Sequence, residues 1–371
     1  MRRKVCLGLA GALLAAACSG DQGTEAPAVD AVPSAGDPKL ATAAAGAIRA
    51  HDLPAMAVAY VSLHQGVLVG IAGTRGHGDG TPVSVDSRFH IGSDTKAMTA
   101  VLVAQLVQAG ELTFDSRIAD VLANAAVDAS LGAITVRDVL GHRTGLVDDL
   151  DLRGLHEATD AVAARREAVY EALRSPRREP DSYAYANLNY MLAGVLVEEI
   201  LARSWTDIIE ERLFAPLEMT SCGFGAPLGD LDPLGHTAEG TPIPHDAPVS
   251  DNPPALGPAG TVHCSIGDWA KFATAMLEVL TGTDNEILSA ATAADLFAGE
   301  EHYVAGWLRT DRDGEVSYGH DGSNTLWYAR AVLRPAQRDA VLIASNTGER
   351  SAMRAIDELT GAVLRDWPPA S

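Results

Sequence analysis

The sequence predicts an α+β fold, an antiparallel sheet flanked by helices with an all-helical insertion. Three observations predict it. Two β-rich runs, Pro54 to Tyr60 and Gly66 to Ala72, lie near the start. A long helical middle follows them. Four more β-rich runs then return before a closing helix: Tyr303 to Arg309, Val316 to Gly319, Leu326 to Leu333 and Ala340 to Ser345. Strands from both ends of a chain complete one sheet most simply if the helices between them form an insertion packed against it. With 371 residues, 47% of them hydrophobic, there is ample material for a large core.

The elements are justified in order. Leu40 to Ala50 is rich in helix formers. The short link Ser62 to Gln65 joins the first two strands as an antiparallel hairpin. Gly73 to Gly80 carries glycines without phosphate-loop spacing, so it reads as a loop and not as a nucleotide site. Thr135-Val-Arg-Asp138 is a capping box that opens a short helix, and Ser265-Ile-Gly-Asp268 is a second one, opening a helix through about Leu280. Between them, His156 to Leu173, Asn189 to Arg203 and Trp205 to Phe214 read as helices. Residues 223–260, full of Gly and Pro, read as a long ordered loop that walls a binding site. Pro335 to Arg338 makes the last hairpin turn, and Ser351 to Arg365 closes the chain as a helix.

The chain is organised around Phe89-His-Ile-Gly-Ser93-Asp-Thr-Lys96 and the apolar helix behind it. Ser93 and Lys96 are three residues apart, so on a helix they share a face. The helix N-terminus presents positive potential beneath Ser93. Burial lowers the pKa of a lysine, so Lys96 could take the serine's proton. Read alone, the pair fits better an N-cap serine and a solvated lysine, because S-x-x-K is short and common. The chain has only four lysines, and Lys96 makes its only S-x-x-K.

The formal net charge is −21. That argues against nucleic acid as a partner, since phosphates need a basic face. Residues 1–17 read as a signal peptide: Arg2-Arg3-Lys4, a short apolar run from Val5 to Leu14, and the small residues Ala15 to Ala17. Cys18 follows them as in a bacterial lipobox, with Ala15 where leucine is usual. The expectation is an exported lipoprotein on the periplasmic side, anchored to the membrane if Cys18 is lipidated, with plain cleavage after Ala17 as the alternative. Residues 18–38 read as a flexible tether. Cys222 and Cys264 remain, either as a disulfide suited to an oxidising compartment or as two unpaired core residues. No His, Cys, Asp or Glu cluster has metal-ligand spacing, so neither metal nor cofactor is expected.

Two later stretches complete a constellation, Tyr183-Ala-Tyr185-Ala-Asn187 and Gly319-His320-Asp321-Gly322-Ser323. Taken with Ser93-Asp-Thr-Lys96, they resemble the three ordered motifs S-x-x-K, Y-x-N and H/K-x-G of the serine β-lactamase and penicillin-binding-protein superfamily. The order is closest to class C β-lactamases and their esterase and D-Ala peptidase relatives. Gly141-His-Arg-Thr-Gly-Leu146, Ala215-Pro-Leu-Glu-Met219 and Pro258-Ala-Gly-Thr resemble the family's linking segments. The resemblance implies a β-lactamase/transpeptidase-like fold in one catalytic domain over 39–368. Its α/β part would be roughly 39–92 and 300–368, and its helical part roughly 93–299.

The resemblance implies roles as well. Ser93 is the nucleophile, and Lys96 and Tyr185 share the proton work, with Lys96 lowering the phenol's pKa. Asn187 holds the substrate carbonyl or Lys96, and His320 hydrogen-bonds Tyr185 or the substrate. Gly322 allows close approach of the substrate, and the N–H groups of Ser93 and Ser323 form the oxyanion hole. His142 is structural, packing beneath the site. The implied function is acyl-enzyme hydrolysis of a small ester, amide or peptide, with a cell-wall D-alanyl-D-alanine carboxypeptidase or class C-type β-lactamase as alternatives. His320, neutral at pH 7, and Asp321, if it faces the cleft, disfavour a substrate carboxylate. A penicillin-recognising sensor or cell-wall binder is the competing class.

Overall fold

The computed structural model describes Val32 and residues 34–146, 148–176, 182–237, 239–348 and 350–367. The expected leader, Cys18 and most of the tether lie outside the described residues. The tether's last residues are ordered. Ser34–Gly36 forms a strand (β1), and Asp37 caps the first helix by accepting from Lys39 N and Leu40 N.

The main sheet is antiparallel and has nine strands among the described residues. They are β1, β2 (Ala55–Ser62), β3 (Gly66–Gly76), β4 (Asp79–Pro82), β5 (Tyr303–Val304), β6 (Trp307–Arg312), β7 (Glu315–Ser323), β8 (Tyr328–Arg334) and β9 (Asp339–Ser345). Their order is β1-β3-β2-β9-β8-β7-β6-β5, with β4 pairing on β3. The first and last parts of the chain meet where β2 pairs with β9, from Ser62 opposite Asp339 to Met56 opposite Ser345.

Period-2 alternation sends the two faces of β2 into two cores. Met56, Val58 and Tyr60 face α1 (Pro38–His51) and α6 (Arg350–Asp366). Ala57, Ala59 and Val61 belong to the larger core on the other side. The closing helix buries Ala352, Ala355, Ile356, Leu359 and Val363, a single 3.6-period face. Ile356, Leu359 and Val363 each contribute roughly 1.5–3 kcal/mol on full burial.

The helical side is built on α2 (Thr95–Gln108), buried nearly all round, with α4 (Asn187–Leu201) beside it and α3 (Ala161–Leu173) packed on α4. The buried pair Arg165 and Glu198 joins α3 to α4, and Arg165 Nη1 donates to Ala255 O at 2.9 Å. Thus the 223–260 wall is tied to the helices. Cys222 and Cys264 form a disulfide across 42 residues.

Several local expectations are corrected. Gly73 to Gly80 is not a free loop: β3 runs on to Gly76 and β4 begins at Asp79. The helix expected over His156 to Leu173 is two, Leu152–Glu157 and α3, because Asp160 starts the second by capping Ala163 N. The Thr135–Asp138 box is complete, whereas at Ser265 only half of one forms. Asp268 turns instead to Ser221, accepting from its N–H and its hydroxyl. The helix it opens, α5 (Ile266–Leu280), packs on β2 and β9 and so belongs with the sheet and not with the helical part.

Candidate active site

Ser93 sits in a one-turn 3-10 helix, Gly92–Asp94, that runs into α2. The turn has left-handed backbone at Gly92, φ 53°, and a Cβ there would lie 2.3 Å from Ser323 N. Gly322 is tighter still, since its Cβ would lie 1.9 Å from Ile91 O. Two glycines therefore let the end of β7 press on the serine turn. This brings Ser323 N–H beside Ser93, although the two are 230 residues apart in sequence. The Ser323 hydroxyl is used elsewhere, donating to Trp327 O at 2.8 Å.

Lys96 is completely buried, one turn on. Its Nζ lies 2.6 Å from Ala259 O, 2.8 Å from Asn187 Oδ1 and 3.0 Å from Ser93 Oγ. Burial lowers its pKa to about 7, against the pull of Asp148 and Asp94. Asn187, in the first turn of α4, thus holds Lys96. Asp148 caps that helix, accepting from Asn187 N and Leu188 N at 2.8 Å each.

Tyr185 shares a hydrogen bond with Ser93, and its ring centre is 4.9 Å from Lys96 Nζ. The expected lowering of its pKa does not occur. Desolvation is the largest cause and raises it, only partly opposed by the Ser93 hydrogen bond. Burial thus pushes the phenol's pKa up and the amine's down, each toward its neutral form.

His142 positions Tyr185 from below. Its carbonyl accepts from Ala184 N at 2.9 Å, its Nδ1 accepts from Ala186 N at 3.2 Å, and its ring centre is 4.5 Å from that of Tyr185. Burial drives its pKa down to about 2, so it is neutral.

His320 is buried, with its pKa lowered to about 3 by desolvation first and by Lys96 second. Its Nε2 lies 3.0 Å from the Tyr303 hydroxyl. Within the protein its partner is therefore Tyr303 and not Tyr185. Asp321 does not face the cleft. Alternation along β7 turns it away from His320, and its carboxylate accepts from Arg330 Nε at 2.5 Å and Nη2 at 2.9 Å. Arg330 also pairs with Asp357 of α6. Asp94 is a residue that sequence reasoning passed over. Its carboxyl is buried beside Gly322 with neither oxygen hydrogen-bonded, and burial and then Asp321 hold its pKa well above the ordinary value.

The structure thus brings Ser93, Lys96, Tyr185, Asn187, His320, Gly322 and Ser323 to one place. Asp148 and Tyr303 join them without any sequence motif to announce them. Among the described residues no group of three His, Cys, Asp or Glu is placed to hold a metal ion.

Residues 38–364 match the family model described as Beta-lactamase. The chain belongs to the beta-lactamase family. Penicillin-binding protein 4 of Amycolatopsis lactamdurans is 32% identical over 301 residues, 75% of this chain and 77% of that protein. Other curated relatives are longer, and the chain spans 56% and 54% of two of them. Among solved structures, a class C beta lactamase from Rhodobacter sphaeroides aligns with TM-score 0.71 at 20% identity, over 88% of this chain and 99% of its own. A D-amino acid amidase from Ochrobactrum anthropi aligns with TM-score 0.69 at 20% identity, over 88% and 99%. The family's fold, a mixed helical and antiparallel-sheet architecture, is the one described above.

Proposed function

We propose that the chain is an exported serine hydrolase that acylates Ser93 with esters or amides bearing no carboxylate at the reacting end. One observation carries this: the three partners of Lys96 Nζ. Ala259 O and Asn187 Oδ1 can only accept hydrogen bonds, so a neutral amine must spend its two N–H groups on them. Its lone pair then points at Ser93 Oγ, 3.0 Å away. An amine with pKa about 7, aimed by two fixed acceptors, is a general base for that hydroxyl.

In the acylation step the Ser93 proton passes to Lys96 Nζ as Oγ bonds to the substrate carbonyl carbon. The oxyanion faces the N–H groups of Ser93 and Ser323, each donor worth roughly 3–4 kcal/mol in a preorganised site. Tyr185, still a phenol, gives its proton to the departing oxygen or nitrogen and regains one from Lys96. Water then replaces the leaving group and the steps run in reverse, releasing the acid.

The charges around the site support a substrate without a carboxylate. His320 is neutral, Arg330 is engaged by Asp321 and Asp357, and Arg143 by Asp138 and Glu301. The basic leader at residues 1–17, Cys18 as lipid anchor and the Cys222–Cys264 disulfide support export to the periplasmic side of a bacterial membrane.

A fluorophosphonate probe and a substrate panel test the reading. Labelling of the native protein that is lost in Ser93→Ala, with p-nitrophenyl esters or neutral amides turned over faster than nitrocefin or D-Ala-D-Ala peptides, is the expected result. No labelling of the native protein would make it a binder. Preference for nitrocefin would overturn the substrate class.

A further inference from the structure

The 223–260 wall reaches the site through one side chain that the reaction above does not use. Asp251 Oδ1 lies 2.7 Å from His90 Nε2, close but without the angles of a straight hydrogen bond. The same oxygen accepts from Asn324 Nδ2 at 3.1 Å. The Asp251 side chain is 12% exposed and that of His90 is fully buried.

Each partner leads to one half of the proposed oxyanion site. His90 Nδ1 accepts from Gly92 N at 3.0 Å, which places the ring proton on Nε2 beside the carboxylate. Gly92 is the residue before Ser93. Asn324 is the residue after Ser323, buried, with its Oδ1 accepting from Leu326 N at 3.2 Å. One carboxylate oxygen therefore braces the Gly92–Ser93 turn on one side and the end of β7 on the other. The neighbouring Asn252 donates to Gly260 O at 2.8 Å, next to the Ala259 carbonyl that aims Lys96.

We propose that Asp251 is a positioning residue that sets the spacing between the Ser93 and Ser323 N–H groups. This rests on the acyl-enzyme reading above. Donors of this kind act because they are held in place before charge develops on the substrate oxygen. Small misplacements in such sites cost large factors in rate. Asp251 touches no reacting atom. Its removal should act on kcat through the oxyanion and leave ground-state binding alone.

The test compares p-nitrophenyl oxoesters with the matching thionoesters, whose developing charge sits on sulfur and draws little from N–H donors. Wild type, Asp251→Ala and the near-isosteric Asp251→Asn are measured on both, with Ser93→Ala as the control for the parent reading. The expected result is a kcat at least tenfold lower in Asp251→Ala on oxoester, with KM within threefold and a clearly smaller loss on thionoester. Asp251→Asn, which keeps an acceptor oxygen, should recover part of the loss. An Asp251→Ala kcat within twofold of wild type would overturn the proposal. So would equal losses on both esters that follow a lowered Tm, which mark a general structural role. If Asp251→Ala does not fold, a kcat for Asp251→Asn lowered on oxoester more than on thionoester supports the proposal, and equal effects overturn it. A wild type without Ser93-dependent turnover would overturn the parent reading and this proposal together.

Discussion

At Lys96, one buried amine links activity to stability. Its pKa stands at about 7 against an ordinary value of 10.5, because burial disfavours the charged form. If the neutral amine is the base, kcat/KM for a neutral ester should rise with pH through an ionisation near 7. His142 and His320 do not account for that limb, since burial holds both far lower. Lys96→Met should lower kcat/KM by about 10²–10⁴ and abolish the limb. The same shift has a stability sign. Between pH 7 and 10.5 the unfolded chain binds a proton at this lysine and the folded chain does not, so stability increases with pH in that window. Below pH 7 the full burial cost of roughly 5 kcal/mol is present. Denaturant titrations of wild type and Lys96→Met at pH 7 and pH 9 should therefore differ in their pH dependence by about 2 kcal/mol, wild type gaining at pH 9. A constant difference would mean that Lys96 titrates normally.

At the scale of elements, the site depends on how closely β7 approaches the serine turn. Two glycines on this one strand make opposite predictions. A Cβ at Gly322 would strike Ile91 O at 1.9 Å, whereas at Gly319 the nearest atom is Ala331 O at 3.5 Å, an ordinary contact. Gly322→Ala should cost about 1–3 kcal/mol and move Ser323 N–H off the oxyanion position, lowering kcat/KM at least 100-fold. Gly319→Ala should fold and turn over nearly as wild type. Melting curves with steady-state kinetics of the two variants check both.

What could be read from the sequence also divides at this scale. The S-x-x-K pair was legible because three residues on a helix is a local distance. Tyr185, Asn187 and His320 were legible only as an ordered set resembling a family, since nothing local joins them to Ser93. The outward turn of Asp321 follows from strand alternation and could have been foreseen. The contact of Asp251 with His90 and Asn324 could not, because it depends on how a Gly- and Pro-rich wall folds back. The break before α3 had a signal, the capping Asp160, which an otherwise continuous run of helix formers concealed.

For the whole molecule, the plan of strands from both chain ends closing on one sheet follows from the hydrophobic pattern alone. The boundary between its two parts does not. α5 lies in the insertion by its place in the chain, yet it packs on the sheet. Beside it, the Cys222–Cys264 link ties the loop after the helices to the strand Val262–Ser265. Chain-entropy arguments give a 42-residue crosslink about 4 kcal/mol of stability. Reduction with dithiothreitol, or Cys222→Ser with Cys264→Ser, should therefore lower Tm by several degrees. An unchanged Tm would show that the two sulfurs are not joined in the working protein.

Ser93 acylation itself can be observed by stopping turnover of a p-nitrophenyl ester with acid and mapping the protein by peptide mass. The adduct should sit on the peptide carrying Ser93, accumulate with a burst of one p-nitrophenol per chain where deacylation is the slow step, and vanish in Ser93→Ala. Full turnover in Ser93→Ala, or an adduct carried by any other residue, would contradict it.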